Sequence, residues 1–404
     1  MRVLRHGYVT APLIGALWMV IVATTVAVAM SFATGEAFRP AVLICLILGA
    51  GLGFLALYVR NYWFLSGAAI VLSGLGLLSG LQPVVLGDGV TNTQMIVTAL
   101  LLGFGSGPGI LKMVEELHTG ALTRHEFEEA WIRFLTGFGY IFFTVIVVIP
   151  FYVMVMTSLK SQQALLQNPL DFSIDFGKGM GLFRSYSELF GQFNFGRYMW
   201  TSFYVSVLTV LITLAFSVPG AYAVARLRFS GQKAFSRSIL LIYMVPMIVL
   251  ALPIYMVFSM TGLRNTILGI VMIYPVTTIP VALYMLQGYF RGLPAEVEEA
   301  GLMDGLSRLA VIWKITLPLS LPAMASVSLY VFMIAWNEFL LAFMLLDDPS
   351  KFTLTRGVAM LNSSEIPRQH LMAGSVIATV PIMLLFLGLE RFMTKGLTAG
   401  SVKG

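Results

Sequence analysis

Between Pro294 and Pro318 the chain reads PAEVEEAGLMDGLSRLAVIWKITLP, a polar island between two long apolar stretches. Glu299, Ala300 and Gly301 are followed after three spacers by Gly305. Nine further spacers lead to Ile315, and one more to Leu317 and Pro318. The chemistry these residues offer is docking rather than bond-making. Pro294 suits a first helical turn, where its missing N–H costs nothing, and Glu296, Glu298 and Glu299 favour the positive end of that helix. Leu293, Val297, Ala300 and Gly301 fall on one helical face; Leu306, Leu309, Ala310 and Trp313 fall on a second. Gly305 between them permits a turn that a Cβ hinders. Pro318 and Pro322 end this pair and begin the next apolar helix. The pattern predicts a helix–turn–helix with an apolar stripe that needs a partner.

Nothing else in the chain is spaced for catalysis. His6, His118, His125 and His370 are scattered without ligand spacing, and the single Cys45 lies in an apolar run, which excludes an intrachain disulfide or a cysteine metal cluster. The phosphate-cradling pattern G-x-x-x-x-G-K-[ST] does not occur: Gly177-Lys178 is followed by Gly179, and the first glycine is missing. The chain is therefore read as non-catalytic, with no cofactor and no metal.

The elements that must position the island are membrane helices. Of 404 residues, 58% are hydrophobic and 11% charged, more apolar surface than a soluble core absorbs. Runs at about 11–33, 41–59, 62–82, 93–111, 137–158, 198–225, 237–259, 266–288, 318–345 and 372–390 approach the length of a crossing. The expected fold is an all-α polytopic membrane protein of about ten transmembrane helices. In the fourth run Gly103, Gly105, Gly107, Pro108 and Gly109 are expected to break or kink the helix. Gly49/Gly53 and Gly76/Gly80 have the small-xxx-small spacing that packs membrane helices. With the N-terminus inside, both termini and the basic RLRFSGQKAFSR stretch (Arg226, Arg228, Lys233, Arg237) are cytoplasmic, as the positive-inside rule prefers. The net charge of +6 is explained by such loops rather than by nucleic acid. Membrane lipid is the only surface that composition itself demands.

The division expected is an N-terminal module of about four spans (1–112), a charged cytoplasmic linker (113–136), and a six-span remainder (137–404) holding the loop 292–317 and a tail 391–404. Within the spans, Trp336, Asn337 and Glu338 are candidates for a transport pathway, since ionisable groups in membrane helices are costly. Glu338 lies roughly 30 Å along its helix from Pro318, near a boundary where a carboxylate needs no function.

The spacing EAA–x3–G–x9–I–x–LP resembles the cytoplasmic coupling loop of ABC importer permeases, with Gly301 where that family usually carries Ala. From about Ile141 onward the chain resembles the carbohydrate-uptake branch, most closely its MalG-type subunit. AYAVARLRFSGQ (221–232), AWNEFLLAFMLL (335–346) and the terminal ERFMTKGLTAGSVKG (390–404) carry that resemblance; the first 133 residues lie outside it. It implies a translocation subunit of a binding-protein-dependent sugar importer, of di- or oligosaccharide (maltose) type. The implied partners are an ABC ATPase dimer, a second, MalF-like permease and an extracytoplasmic sugar-binding protein. It implies ATPase coupling by Glu299, Ala300, Gly301, Asp304, Gly305, Ile315, Leu317 and Pro318. It further implies ATPase contact by Gly396, Leu397, Gly400, Lys403 and Gly404, and binding-protein contact by the 347–371 loop. An importer of polyamines or another solute is the alternative, against which the tail argues. A secondary transporter is the other; it calls for a mid-membrane coupling charge and inverted repeats, neither of which is seen.

Overall fold

The computed structural model describes residues 5–168, 172–174, 176–239, 241 and 245–398, without the side chains of 176 and 390–398. By its internal contacts the chain forms two units, 1–182 and 183–404.

The first unit contains α1 (Gly7–Thr34), β1 (Phe38–Pro40), α2 (Val42–Ala56), α3 (Tyr62–Ser79), β2 (Val84–Leu86), α4 (Asn92–Val114), α5 (Arg124–Ser158) and α6 (Gln162–Gln167). The two strands pair antiparallel, Arg39 opposite Val85, and add one small ribbon to an otherwise helical chain. Glycine sets the spacing of the helices. A Cβ on Gly49 would lie 2.3 Å from Gly15 O, and one on Gly53 2.2 Å from Ala11 O, so α1 and α2 touch backbone to backbone. The Gly76/Gly80 pair does not pack helices in this way: Gly76 closes on Leu81 O in the connection just after α3, and Gly80 ends α3 at φ +82°.

The expected break in the fourth run is absent, and α4 is continuous through Pro108. Its glycines are contact surfaces: a Cβ on Gly103 would meet Ile70 at 2.2 Å, on Gly107 Ser66 at 2.8 Å, and on Gly109 the Trp18 ring at 2.3 Å. Trp18 Nε1 donates to Gly105 O (3.1 Å), and its ring meets Phe134 of α5 edge-on at 6.4 Å. A capping box of Thr123 and Glu126 starts α5, which then runs unbroken across residues 136 and 137. Arg133 gathers Glu115 (3.6 Å), Glu129 (3.1 Å) and Glu116 and ties the end of α4 to α5.

The second unit contains α7 (Arg184–Gln192), α8 (Phe195–Arg226), α9 (Gln232–Ser238), α10 (Met247–Met260), α11 (Ile267–Gly292), α12 (Ala295–Met303), α13 (Arg308–Val311), α14 (Leu317–Leu319), α15 (Leu321–Asn337), α16 (Leu340–Leu345), α17 (Leu354–Met360) and α18 (Arg368–Thr398). α8 and α11 are its central pair, bound by Thr213 Oγ1 to Thr278 Oγ1 (2.6 Å) and by Ser217 Oγ donating to Ile279 O (3.3 Å). Such side-chain bonds hold helices together where water cannot compete.

Among the described residues seven helices are long and apolar enough to cross a membrane: α1, α3, α4, α5, α8, α11 and α18 to Leu389. An eighth crossing is made only if the bent pair 308–319 and 321–337 is one span, and α2 and α10 are apolar but shorter. Two expected spans are therefore not single helices. The run 237–259 is divided between α9 and α10. The run 318–345 turns by 75° at Ser320 and breaks again at Glu338, where the backbone is extended (φ −65°, ψ 124°). Prolines at 318 and 322 cause the first break, because neither supplies an N–H to the preceding turn.

Candidate functional site

The polar island forms α12, a turn, α13, a π turn at Ile312–Thr316 and the short α14. Pro294 stands at the N-cap of α12, and Glu296 and Glu298 occupy its first turn. Its far end is a Schellman motif. Gly305 N–H donates to Leu302 O (3.1 Å), Leu306 N–H donates to Gly301 O (3.1 Å), and Gly305 itself has φ +83°. The sharp turn expected at Gly305 is present, and it is the left-handed backbone that demands glycine. Ser307 then caps α13 by accepting from Ala310 N–H (3.3 Å).

Gly301, the departure from the usual Ala, is buried. A Cβ there would lie 2.6 Å from Ile315 Cδ1 and 3.4 Å from Val311 Cγ2. Gly301 thus lets α12 sit directly on the α13–π segment, and Ile315 is the residue it accommodates. Glu299, Ala300 and Asp304 are exposed, as are Gly305 and Pro318; Ile315 and Leu317 are half-buried. The structure therefore joins the eight positions in one compact motif and divides them by burial: 301, 315 and 317 face inward, the rest outward.

What fixes this motif is a residue that the spacing did not single out. Glu298 is 8% exposed. Its carboxylate accepts from Tyr222 Oη (3.2 Å) and Thr316 Oγ1 (3.0 Å) and lies 3.5 Å from Arg226 Nε. Arg226 also donates through Nη2 to Leu293 O (2.6 Å). One carboxylate therefore clamps α12 to the end of α8 and to the root of α14. Nothing in the sequence alone separates it from Glu299: the two are adjacent and of one type, and which side of α12 is buried is decided by packing.

Outside this clamp the motif leaves large apolar side chains bare. Met303 is 87% exposed, Leu309 68% and Trp313 67%, with Val297 at 42%. Trp313 and Leu309 belong to the expected second face; Met303 was not foreseen. Beside them an open cleft of about 410 Å³ is lined by Arg226, Arg228, Gln232, Glu298, Glu299 and Arg308, among others.

The pathway candidates go to separate partners. Trp336 is buried and donates from Nε1 to Ala378 O (3.0 Å), fixing α15 to α18. Asn337 bonds within its own helix, to Met333 O (2.9 Å). Glu338 caps α16, accepting from Leu341 N–H (2.9 Å) and Ala342 N–H (3.1 Å). Of the tail residues, Gly396 and Leu397 lie in the last turns of α18; Gly400, Lys403 and Gly404 lie outside the described residues. At the start of the 347–371 loop, Asp347 and Asp348 N–H donate to Oδ1 of Asn265 (φ +56°), just before α11, at 3.1 and 3.0 Å. The Arg356 guanidinium lies over both Phe343 (4.6 Å) and Phe352 (4.5 Å). His370 Nε2 lies 2.7 Å from Glu188 Oε2. Arg184, bonded at 2.7 Å, and then His370 hold the Glu188 carboxyl below the usual carboxylate range.

Helices of membrane-crossing length carrying a clamped, outward-facing helix–turn–helix define a multi-pass membrane transport subunit. Residues 217–398 match the family described as "Binding-protein-dependent transport system inner membrane component". The chain is 35% identical over 270 residues to the inner membrane ABC transporter permease protein YcjP of Escherichia coli, covering 66% of this chain and 95% of that protein. It is 32% identical to the trehalose/maltose transport system permease protein MalG of Thermococcus litoralis, over 69% of this chain and 99% of that one. A crystal structure of a bacterial ABC transporter involved in alginate import superposes with TM-score 0.56 and 22% identity, covering 67% of this chain and 98% of that chain; it speaks for the fold. This chain belongs to the family of binding-protein-dependent ABC importer permeases, multi-pass inner-membrane proteins. It is a translocation subunit and not an enzyme.

Proposed function

We propose that this chain is one permease subunit of an ABC importer for a di- or oligosaccharide. It is completed by a second permease, two ATPase subunits and an extracytoplasmic sugar-binding protein. The sugar reading rests on the relatives, which include permeases named for trehalose/maltose, arabinooligosaccharides and diacetylchitobiose. The coupling reading rests on one observation: a helix–turn–helix clamped from behind by Glu298 that presents Val297, Met303, Leu309 and Trp313 to a partner. Soluble surfaces rarely carry so large a bare patch without an occupant. In this reading Glu299, Ala300, Asp304 and Gly305 face the ATPase, Gly301, Ile315, Leu317 and Pro318 shape the loop, and residues 396–404 extend toward the same partner. Both termini are cytoplasmic, and the 347–371 loop faces the binding protein.

The domain reading is likewise ours. Residues 1–112 are an accessory module and 113–136 a connecting segment. Residues 137–404 are the importer core.

The test is co-purification of the ATPase with the chain in detergent and ATP-dependent sugar uptake in proteoliposomes. Trp313→Ala with Leu309→Ala is expected to release the ATPase and abolish uptake while the permease remains in the membrane. Retention of the ATPase by that double variant refutes the docking surface. Uptake that persists without any ATPase subunit refutes the importer.

A further inference from the structure

At one end of the first unit, the α2–α3 connection and the last turns of α4 enclose an open cleft of about 550 Å³. Arg60, Tyr62, Pro108, Gly109, Lys112 and Glu115 line it. The coupling loop takes no part in this cleft, which lies within residues outside the family match. Arg60 is fixed at its rim by donating from Nη2 to Leu117 O (2.9 Å). Among the described residues no carboxylate lies within ion-pair distance of Lys112. The acid on the wall, Glu115, is turned to Arg133 at 3.6 Å. The 18-residue α3 begins here, with Asn61 Oδ1 capping it by accepting from Trp63 and Phe64 N–H. Its positive end adds to the two cations.

The surroundings fix the class of ligand. The cleft sits where α3 starts and α4 ends, both helices apolar and long enough to span, so it lies at a bilayer boundary. Tyr62 and Trp63 are 48% and 73% exposed there, rings of the kind that sit at headgroup depth. Pro108 and Gly109 form part of the α4 wall.

We propose that this cleft binds the phosphodiester of an anionic phospholipid, with Arg60 and Lys112 holding its oxygens and the acyl chains running down the α3–α4 surface. Basic pockets between membrane helices take such headgroups, each cation near the surface being worth about fivefold in affinity.

The test uses the full chain in phosphatidylcholine nanodiscs with spin-labelled phosphatidylglycerol or spin-labelled phosphatidylcholine as probe. The wild-type chain is expected to immobilise the anionic label preferentially. Arg60→Gln with Lys112→Gln should lower that preference on the order of 25-fold. Arg60→Lys, which keeps the charge, should retain most of it, as should Arg39→Gln at the other end of α2. Equal uptake of both labels by the wild-type chain overturns the proposal. So does an undiminished preference in the double variant at unchanged helicity. Displacement of the label by inorganic phosphate overturns the lipid assignment and makes the cleft a free-phosphate site.

Discussion

Gly305 separates backbone cost from partner contact more cleanly than any other position in the loop. Its φ is +83°, and a Cβ built there meets nothing within 4 Å. Within this chain a side chain at 305 therefore costs only the left-handed backbone, about 1–2 kcal/mol for Ala and less for Asn. That range lowers the ratio of ordered to opened turn by a factor of about 5–30. The amides of Gly305 and Leu306, bonded to Leu302 and Gly301 carbonyls, report it by hydrogen exchange. Leu carries at least that same backbone cost, since its Cβ also meets nothing within 4 Å. A docked ATPase changes this order. Gly305→Asn should transport nearly normally, Gly305→Ala less, and Gly305→Leu not at all, at equal membrane abundance. Unchanged amide exchange in Gly305→Ala refutes the backbone reasoning. Normal uptake by Gly305→Leu refutes close approach of a partner here.

Other consequences are equally concrete. Glu298→Ala leaves Arg226 buried without its carboxylate and should destabilise the loop by about 3 kcal/mol, accelerating α12 amide exchange on the order of a hundredfold; adding Arg226→Ala should restore part of the loss in a double-mutant cycle. Because the Glu188 carboxyl is held low first by Arg184 of α7 and then by His370 of α18, the stability it adds to α7 and its contact with α18 is complete above its unfolded value near 4.3. That contribution is lost as pH falls through the lower folded value; α7 amide exchange against pH checks this, and Glu188→Gln should flatten the acid limb. A chain beginning at residue 113 strips Trp18 from Phe134 and uncovers buried Ala130. It should insert but melt at lower temperature than the full chain, and an unchanged melting temperature contradicts the packing of α5 on α1 and α4.

The sequence by itself determined the class, the membrane character of the chain and the place of the loop, because these rest on local properties. Apolar run length, the spacing from Glu299 to Pro318 and a glycine between the two helical faces of the loop are all legible one residue at a time. Only the tertiary structure decided how those pieces bear on one another. The glycines of α4 read as helix breakers, yet they are the surface on which Ile70, Ser66 and Trp18 close, since a missing Cβ permits either outcome and only a neighbouring helix selects one. Glu298 and Glu299 are indistinguishable as neighbours in sequence. The fold buries the first against Tyr222 and Arg226, 76 and 72 positions earlier in the chain, and leaves the second bare. Trp336, Asn337 and Glu338 read as one polar cluster, but the extended backbone at Glu338 ends α15 there and turns that carboxylate to capping α16. The physical reason is the same throughout: chain-local patterns set which conformations are cheap, and the burial of a polar or missing side chain is settled by what long-range packing brings against it.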